Sequence, residues 1–156
     1  MREMYALATI LHVLAAVLWV GGMFFAWWIL RPVAGEQLAP DARIRLWSAV
    51  FARFFPWVWG SIVVILITGF WMLFGVLGGF AGVHWSVHLM LLLGVVMMLL
   101  FAHIFFAPYK RLRRADGLGD LETGLAALGQ LRLFFAINLV LGVVTFAVAS
   151  GGRLIG

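Results

Sequence analysis

Four histidines in or beside the apolar stretches of this chain are the residues best suited to chemistry. His12 interrupts one hydrophobic run, and His84, His88 and His103 begin, interrupt and nearly end another, which covers residues 84–108. An ionisable side chain inside hydrocarbon costs free energy and needs a partner, so each is a candidate functional group. The chain has no cysteine, which excludes disulfides and thiolate metal sites. Histidine, methionine, carboxylate or carbonyl groups must therefore bind any metal.

The composition identifies an integral membrane protein. Hydrophobic residues make up 65% of the 156 residues, whereas soluble domains contain about 45–50% apolar residues. We predict an all-α fold, a four-transmembrane-helix bundle that forms one membrane domain over residues 1–156. The predicted spans are residues 4–30, 56–76, 84–107 and 132–150.

A basic amphipathic segment, residues 41–55, is expected at the membrane surface before the second span. The alternative is that this segment is a helical extension of the second span, bent at Pro56. Asp41 is expected to cap the helix that starts there. The helix of the fourth span is expected to begin early, near Asp120 or Leu121.

The distribution of basic residues predicts the orientation of the bundle. Nine of the eleven lysines and arginines lie in the loops 31–55 and 107–132, and only Arg2 and Arg153 remain for the other side. By the positive-inside rule, both loops are cytoplasmic and both termini face outward, which is the periplasmic side if the membrane is the inner (cytoplasmic) membrane of a bacterium. The lipid bilayer is then the main partner. Topology explains the net charge of +5, so we expect no nucleic-acid partner.

His12 and His88 are expected to face each other in the outer half of the membrane. At 1.5 Å per residue they lie roughly 12 Å and 6 Å below the outer ends of their spans. Two imidazoles on facing helices suit a b-type haem with His12 and His88 as axial ligands. His84, one turn above His88, is an alternative ligand or proton acceptor. Haem propionates would then find donors in Arg2 and Arg153.

His103 lies near the inner surface and on roughly the same side of its helix as His88, so it is expected to face inward. Asn138 of the fourth span has a similar depth. One interpretation is a hydrogen bond between His103 and Asn138. The other is a polar site, formed by His103 with Asn138 or Arg132, that binds a quinone or a second cofactor.

Copper is the alternative cofactor, because histidine and methionine both bind Cu(I). Met90 and Met97 point nearly opposite to His88, so their expected role is packing or lipid contact. Met98 lies a turn or more from either histidine of its helix. The sequence contains no Met-rich or His-rich loop that would capture copper outside the membrane.

Three segments resemble the CopD-like family of small bacterial inner-membrane proteins, which is related to the copper-resistance D domain and more distantly to HemJ-type protoporphyrinogen oxidases. The segments are LHVLAAVLWVGGMFF with His12 and Trp19, VHLMLLLGVVMMLLFAHIFFAPYKRLRRA with His88 and His103, and LGQLRLFFAINLVLG with Arg132 and Asn138. The resemblance implies a four-helix inner-membrane protein. In the HemJ-type relatives it also implies a b-type haem with a first-span histidine as ligand, and His12 corresponds to that residue. Those relatives carry a lysine early in the third span, where this chain has His88.

The leading functional hypothesis is a b-type cytochrome that moves single electrons between a quinone pool and a periplasmic redox partner. Whether the haem would make the chain an oxidoreductase enzyme stays open. Copper binding or transport is the main alternative, followed by a protoporphyrinogen oxidase-like enzyme and a structural membrane subunit. Because the bundle is small, a homo-oligomer is also expected.

Overall fold

Helices account for almost all of residues 2–152, which are the residues that the computed structural model describes. The six α-helices are α1 (Arg2–Phe25), α2 (Arg31–Gln37), α3 (Pro40–Gly75), α4 (Trp85–Ile104), α5 (Lys110–Leu118) and α6 (Leu121–Gly151). A π-helical turn, Ala26–Leu30, joins α1 to α2, and a second, Phe105–Tyr109, joins α4 to α5. A short 3₁₀ turn, Phe80–Gly82, lies between α3 and α4.

Four helical stretches are long and apolar enough to cross a membrane, namely Arg2–Gln37, Pro40–Gly75, Trp85–Leu118 and Leu121–Gly151. The prediction of an all-α fold with four membrane-spanning helices is confirmed, and the chain is a multi-pass membrane protein. Helix α3 covers both the amphipathic segment 41–55 and the predicted second span, and it continues through Pro56. A proline inside a helix removes one backbone hydrogen bond, which the long apolar helix on either side tolerates.

The starts of α3 and α6 differ in how they are capped. The Asp120 carboxylate accepts the backbone N–H of Thr123 at 3.0 Å, as expected for an N-cap. Bonds from Thr123 also hold the pKa of Asp120 below its ordinary value. The expectation that Asp41 caps α3 was wrong, because Pro40 already occupies the first turn and Asp41 pairs instead with Arg45 at 2.9 Å.

Aromatic side chains fill the end of the bundle that carries α2 and α5. Phe55 is fully buried, and its ring centroid lies 5.2 Å from that of Phe101 and 4.7 Å from that of Tyr109. We use the name aromatic core for seven buried residues: Trp19, Trp47, Phe51, Phe55, Phe101, Tyr109 and Phe135. This core closes one end of the bundle, while the opposite end remains open for a ligand.

Gly142 allows α6 to approach α1 closely. A Cβ atom at this position would lie 2.7 Å from Cγ2 of Val20, and the branched valine has few alternative rotamers. We expect Gly142→Ala to lower the free energy of unfolding by about 1–3 kcal/mol, which thermal unfolding in detergent would measure. Gly129→Ala on the same helix is the matched control, because an added Cβ there meets nothing within 4 Å. Equal stability of the two variants would contradict this packing.

Candidate functional site

A cavity of about 550 Å³ lies between α1, α3, α4 and α6, at the end of the bundle away from the aromatic core. Its volume is in the range of small-molecule sites, which are mostly apolar with a few polar groups. The walls fit that description. The polar side chains that line it are Tyr5, Thr9, His12, Ser86, Thr145 and Ser150.

His12 on α1 lines this cavity and is hydrogen bonded to α3. Its Nδ1 lies 2.9 Å from Oγ1 of Thr68, and the Thr68 hydroxyl donates to the carbonyl of Val64 at 2.6 Å. A hydroxyl has a single hydrogen, so Thr68 accepts a hydrogen bond from Nδ1–H of the neutral imidazole. In this tautomer the lone pair of the ring is on Nε2. An imidazole fixed in this tautomer through its other nitrogen is the usual arrangement of a metal ligand.

Gly69 on α3 makes room for the His12 ring. A Cβ atom at Gly69 would lie 3.2 Å from Cε1 and 3.7 Å from Nδ1 of His12. The absence of a side chain therefore lets α3 approach α1 closely enough for Thr68 to reach the imidazole. Gly69 and Thr68 are candidate site residues that the sequence analysis missed, because their relation to His12 depends on helix pairing.

Three methionines share the cavity with His12, namely Met72, Met90 and Met98. Sδ of Met72 lies 3.4 Å from Oγ1 of Thr9. The expectation that Met90 serves packing or lipid contact was incomplete, since its side chain lines the cavity. Met90 and Met98 are eight residues apart, about two helical turns. From the sequence alone, this spacing could have indicated that Met90 and Met98 lie on the same side of α4.

His88 does not line the cavity. Its side chain is exposed, and its ring lies 6.0 Å from that of Phe80. On α4 the cavity is lined by Val87, Leu91 and Val95 among others, so His88 lies at the edge of this stripe, but its side chain is not among the lining residues. The expectation that His88 faces inward was therefore wrong. The structure does not bring His12 and His88 together, and the role of His88 as a ligand stays a prediction.

His84 lies at the start of α4. Its Nδ1 is 2.9 Å from Oγ of Ser86 and accepts the Ser86 backbone N–H at 3.4 Å, so the ring caps the helix. Ser86 lines the cavity, whereas His84 does not. Its predicted role as alternative ligand or proton acceptor stays a prediction.

His103 and Asn138 are not hydrogen bonded to each other. His103 is exposed, and its ring packs edge-on against Phe134 with centroids 4.8 Å apart. Asn138 is fully buried, and its Nδ2 donates to the carbonyl of Met97 at 3.4 Å. The expected bond between them, and the inward orientation of His103, were therefore wrong, because α4 turns this side chain outward.

The remaining residues singled out from the sequence lie elsewhere. Trp19 is 3% exposed within the aromatic core, with its ring 6.0 Å from that of Phe101. Arg132 lies within electrostatic reach of Arg31 and Arg43. Of the two expected propionate donors, Arg2 is exposed on α1, and Arg153 lies outside the described residues.

Within residues 2–152, no group of three or more histidine, cysteine, aspartate or glutamate side chains is arranged to hold a metal ion. A metal in the cavity would therefore depend on His12 together with methionine sulfur. This donor set is soft and electrically neutral.

Comparison with known families assigns the chain to one family. The family model described as copper resistance protein D matches residues 48–151, more than half of the chain. The match includes His84, His88 and His103 and begins after His12. Comparisons with curated proteins and with solved structures find no match. Together with four membrane-spanning helices, the family match establishes that the chain belongs to the copper resistance protein D (CopD) family.

Proposed function

We propose that this protein binds Cu(I) in the cavity between α1, α3, α4 and α6. One observation carries the proposal: His12, whose Nδ1 is bonded to Thr68, lines a cavity that three methionines also line. Thioether sulfur selects Cu(I) among the common biological metals, and imidazole is a good copper ligand. The family description, which names copper resistance, supports the same metal.

The charge of the cavity favours a monovalent ion. No carboxylate is among its lining residues, so no protein charge would offset that of a bound metal. Burying an ion without a counter-charge costs more for a divalent than for a monovalent cation. Cu(I) is therefore better suited to this site than Zn²⁺ or Cu²⁺.

The position of the cavity suggests how copper enters. The loops that carry most basic residues are at the other end of the bundle, where the aromatic core closes the interior. If those loops are cytoplasmic, as the positive-inside rule predicts, the cavity lies toward the periplasm of a bacterial inner membrane. We therefore propose binding of copper from the periplasmic side, without an open path through the bundle.

The first test is Cu(I) binding by detergent-purified protein under anaerobic, reducing conditions. We expect one Cu(I) per chain, measured by competition with a chromogenic Cu(I) chelator. Combined replacement of Met72, Met90 and Met98 by leucine keeps their volume but removes the sulfur, so affinity should fall at least about tenfold. Met23→Leu is the control, because Met23 is buried outside the cavity lining. Equal affinities of the two variants, or no bound copper, would refute the proposal.

A b-type haem is the second candidate, because a cavity of about 550 Å³ is far larger than one ion requires. His12 would be its axial ligand, and the exposed position of His88 does not fit a bis-histidine pair. A haem would supply the one-electron chemistry that links a quinone to a periplasmic redox partner. Sharp absorption bands of reduced, low-spin haem in the purified protein, lost in His12→Ala, would replace the copper proposal. A protein that binds neither would leave a structural subunit as its function.

A further inference from the structure

Two arginines from two helices line one small cavity at the end of the bundle opposite to the large one, and a third arginine lies within electrostatic reach of one of them. Arg31 begins α2, Arg43 lies in the first turns of α3, and Arg132 lies on α6. The positive charges of Arg31 and Arg43 act on Arg132, whose side chain is partly shielded from solvent. Like charges in such an environment repel each other unless an anion compensates them.

The protein supplies no such anion among the residues that the structure describes. The ion pair found there joins Arg45 to Asp41, and both side chains are largely exposed. Arg31 stacks on the Trp27 ring at 4.3 Å, and Arg43 donates only a long bond of 3.5 Å, to the carbonyl of Leu38. These contacts orient the guanidinium groups without neutralising them.

Hydrogen-bond donors without acceptors lie in the same place. Nε of Arg43, Nε of Arg132 and Nε1 of Trp47 are shielded from solvent and have no partner in the described part of the chain. Trp47 is 96% buried, since its exposed fraction is 4%. Its side chain lines a small cavity of about 20 Å³ together with Arg31 and Arg132.

We propose that Arg31, Arg43, Arg132 and the indole N–H of Trp47 bind the phosphate group of an anionic phospholipid. Arginine and N–H donors without a nearby carboxylate are the groups that bind phosphate oxygens, and arginine does so in a bidentate manner. The phosphate oxygens face the guanidinium groups at the surface.

The apolar surroundings favour a lipid over free phosphate. Ile29, Val33 and Leu133 flank the arginines in sequence, and their side chains are 48%, 50% and 59% exposed. In a membrane these residues contact acyl chains, so a phosphate that reaches the arginines from the bilayer brings its own apolar anchor. Basic pockets between membrane helices at the cytoplasmic side bind anionic headgroups by this combination. The proposal is independent of what the large cavity binds.

Lipid titration of the purified full-length protein tests the proposal, with thermal unfolding in detergent as readout. Phosphatidylglycerol should raise the unfolding temperature, whereas phosphatidylcholine and inorganic phosphate should not. Arg132→Gln and Trp47→Phe should each weaken the apparent affinity for phosphatidylglycerol, by about tenfold for the arginine. Arg114→Gln is the matched control, because Arg114 is exposed on α5. Native mass spectrometry should detect one retained phospholipid in the wild type and in the control.

Each other outcome overturns the inference. An equal response of Arg132→Gln and Arg114→Gln would show only nonspecific attraction of lipid to a basic surface. A response to inorganic phosphate as strong as that to phosphatidylglycerol would replace the lipid by a free anion. If Arg132→Gln does not fold, Arg31→Gln is the substitute, since Arg31 lies at the edge of the cluster and is not part of the aromatic core.

Discussion

Cu(I) binding is expected to be lost in His12→Ala. His12 supplies the one imidazole among the residues that line the cavity. Changes to residues that merely orient a metal ligand cost about 10–100-fold in affinity, so removing the ligand itself should cost about 100-fold or more. Chelator competition under reducing conditions measures this loss. Thermal unfolding should show that the variant remains folded, because His12 is only half-buried.

The exposed histidines provide controls for this experiment. His88→Ala and His103→Ala remove imidazoles from α4 that do not line the cavity, so both variants should bind Cu(I) as the wild type does. A loss in His88→Ala equal to that in His12→Ala would mean that the two rings share one ligand. The proposed cavity site would then be wrong, and the pairing of His12 with His88 that the sequence predicts would be right.

The second large effect is expected in Thr68→Val, which keeps the shape of the side chain and removes its oxygen. Nδ1–H of His12 then loses the Thr68 hydroxyl as acceptor, so the ring is held less firmly in this tautomer and orientation. We expect Cu(I) affinity to fall by about 10–100-fold, measured by the same competition assay.

Thr68→Ser separates this effect from general damage to α3. Serine retains a hydroxyl that accepts from His12 Nδ1 and donates to the carbonyl of Val64. The Thr68→Ser variant should therefore bind Cu(I) with nearly the affinity of the wild type. A serine variant as weak as the valine variant would show that the methyl group, and not the hydrogen bond, positions the ring.

The two ends of the bundle differ in chemistry in a way that agrees with the predicted topology. One end has a cavity with neutral donors, and the other has an aromatic core bordered by arginines. Arg31, Arg43 and Arg132 are part of the charge asymmetry that predicts cytoplasmic loops. The same residues would therefore both set the orientation of the chain and hold an anionic lipid at the cytoplasmic surface.

The sequence by itself was sufficient for the class of fold. Four long apolar runs cannot be buried in a soluble domain of this size, and a bilayer accepts them only as helices whose backbone groups are all hydrogen bonded. Asp120 marked the start of α6 for an equally local reason, since its carboxylate caps the first turn. His12 was identified as a candidate because an imidazole within hydrocarbon needs a partner.

Only the tertiary structure decided which side of each helix faces the interior. A soluble helix shows its buried side by its apolar stripe, but a membrane helix is apolar toward both lipid and neighbouring helices. In the apolar window of Trp85–Leu118 only 17% of the residues are buried, and lipid-facing and buried positions are both apolar. The sequence of this helix therefore does not indicate which of its sides faces the interior of the bundle. For that reason His88 and His103 were placed inside the site, whereas Met90 was assigned to packing or lipid contact. The contacts of His12 with Thr68 and the meeting of Arg31, Arg43 and Arg132 likewise follow from how the helices pack.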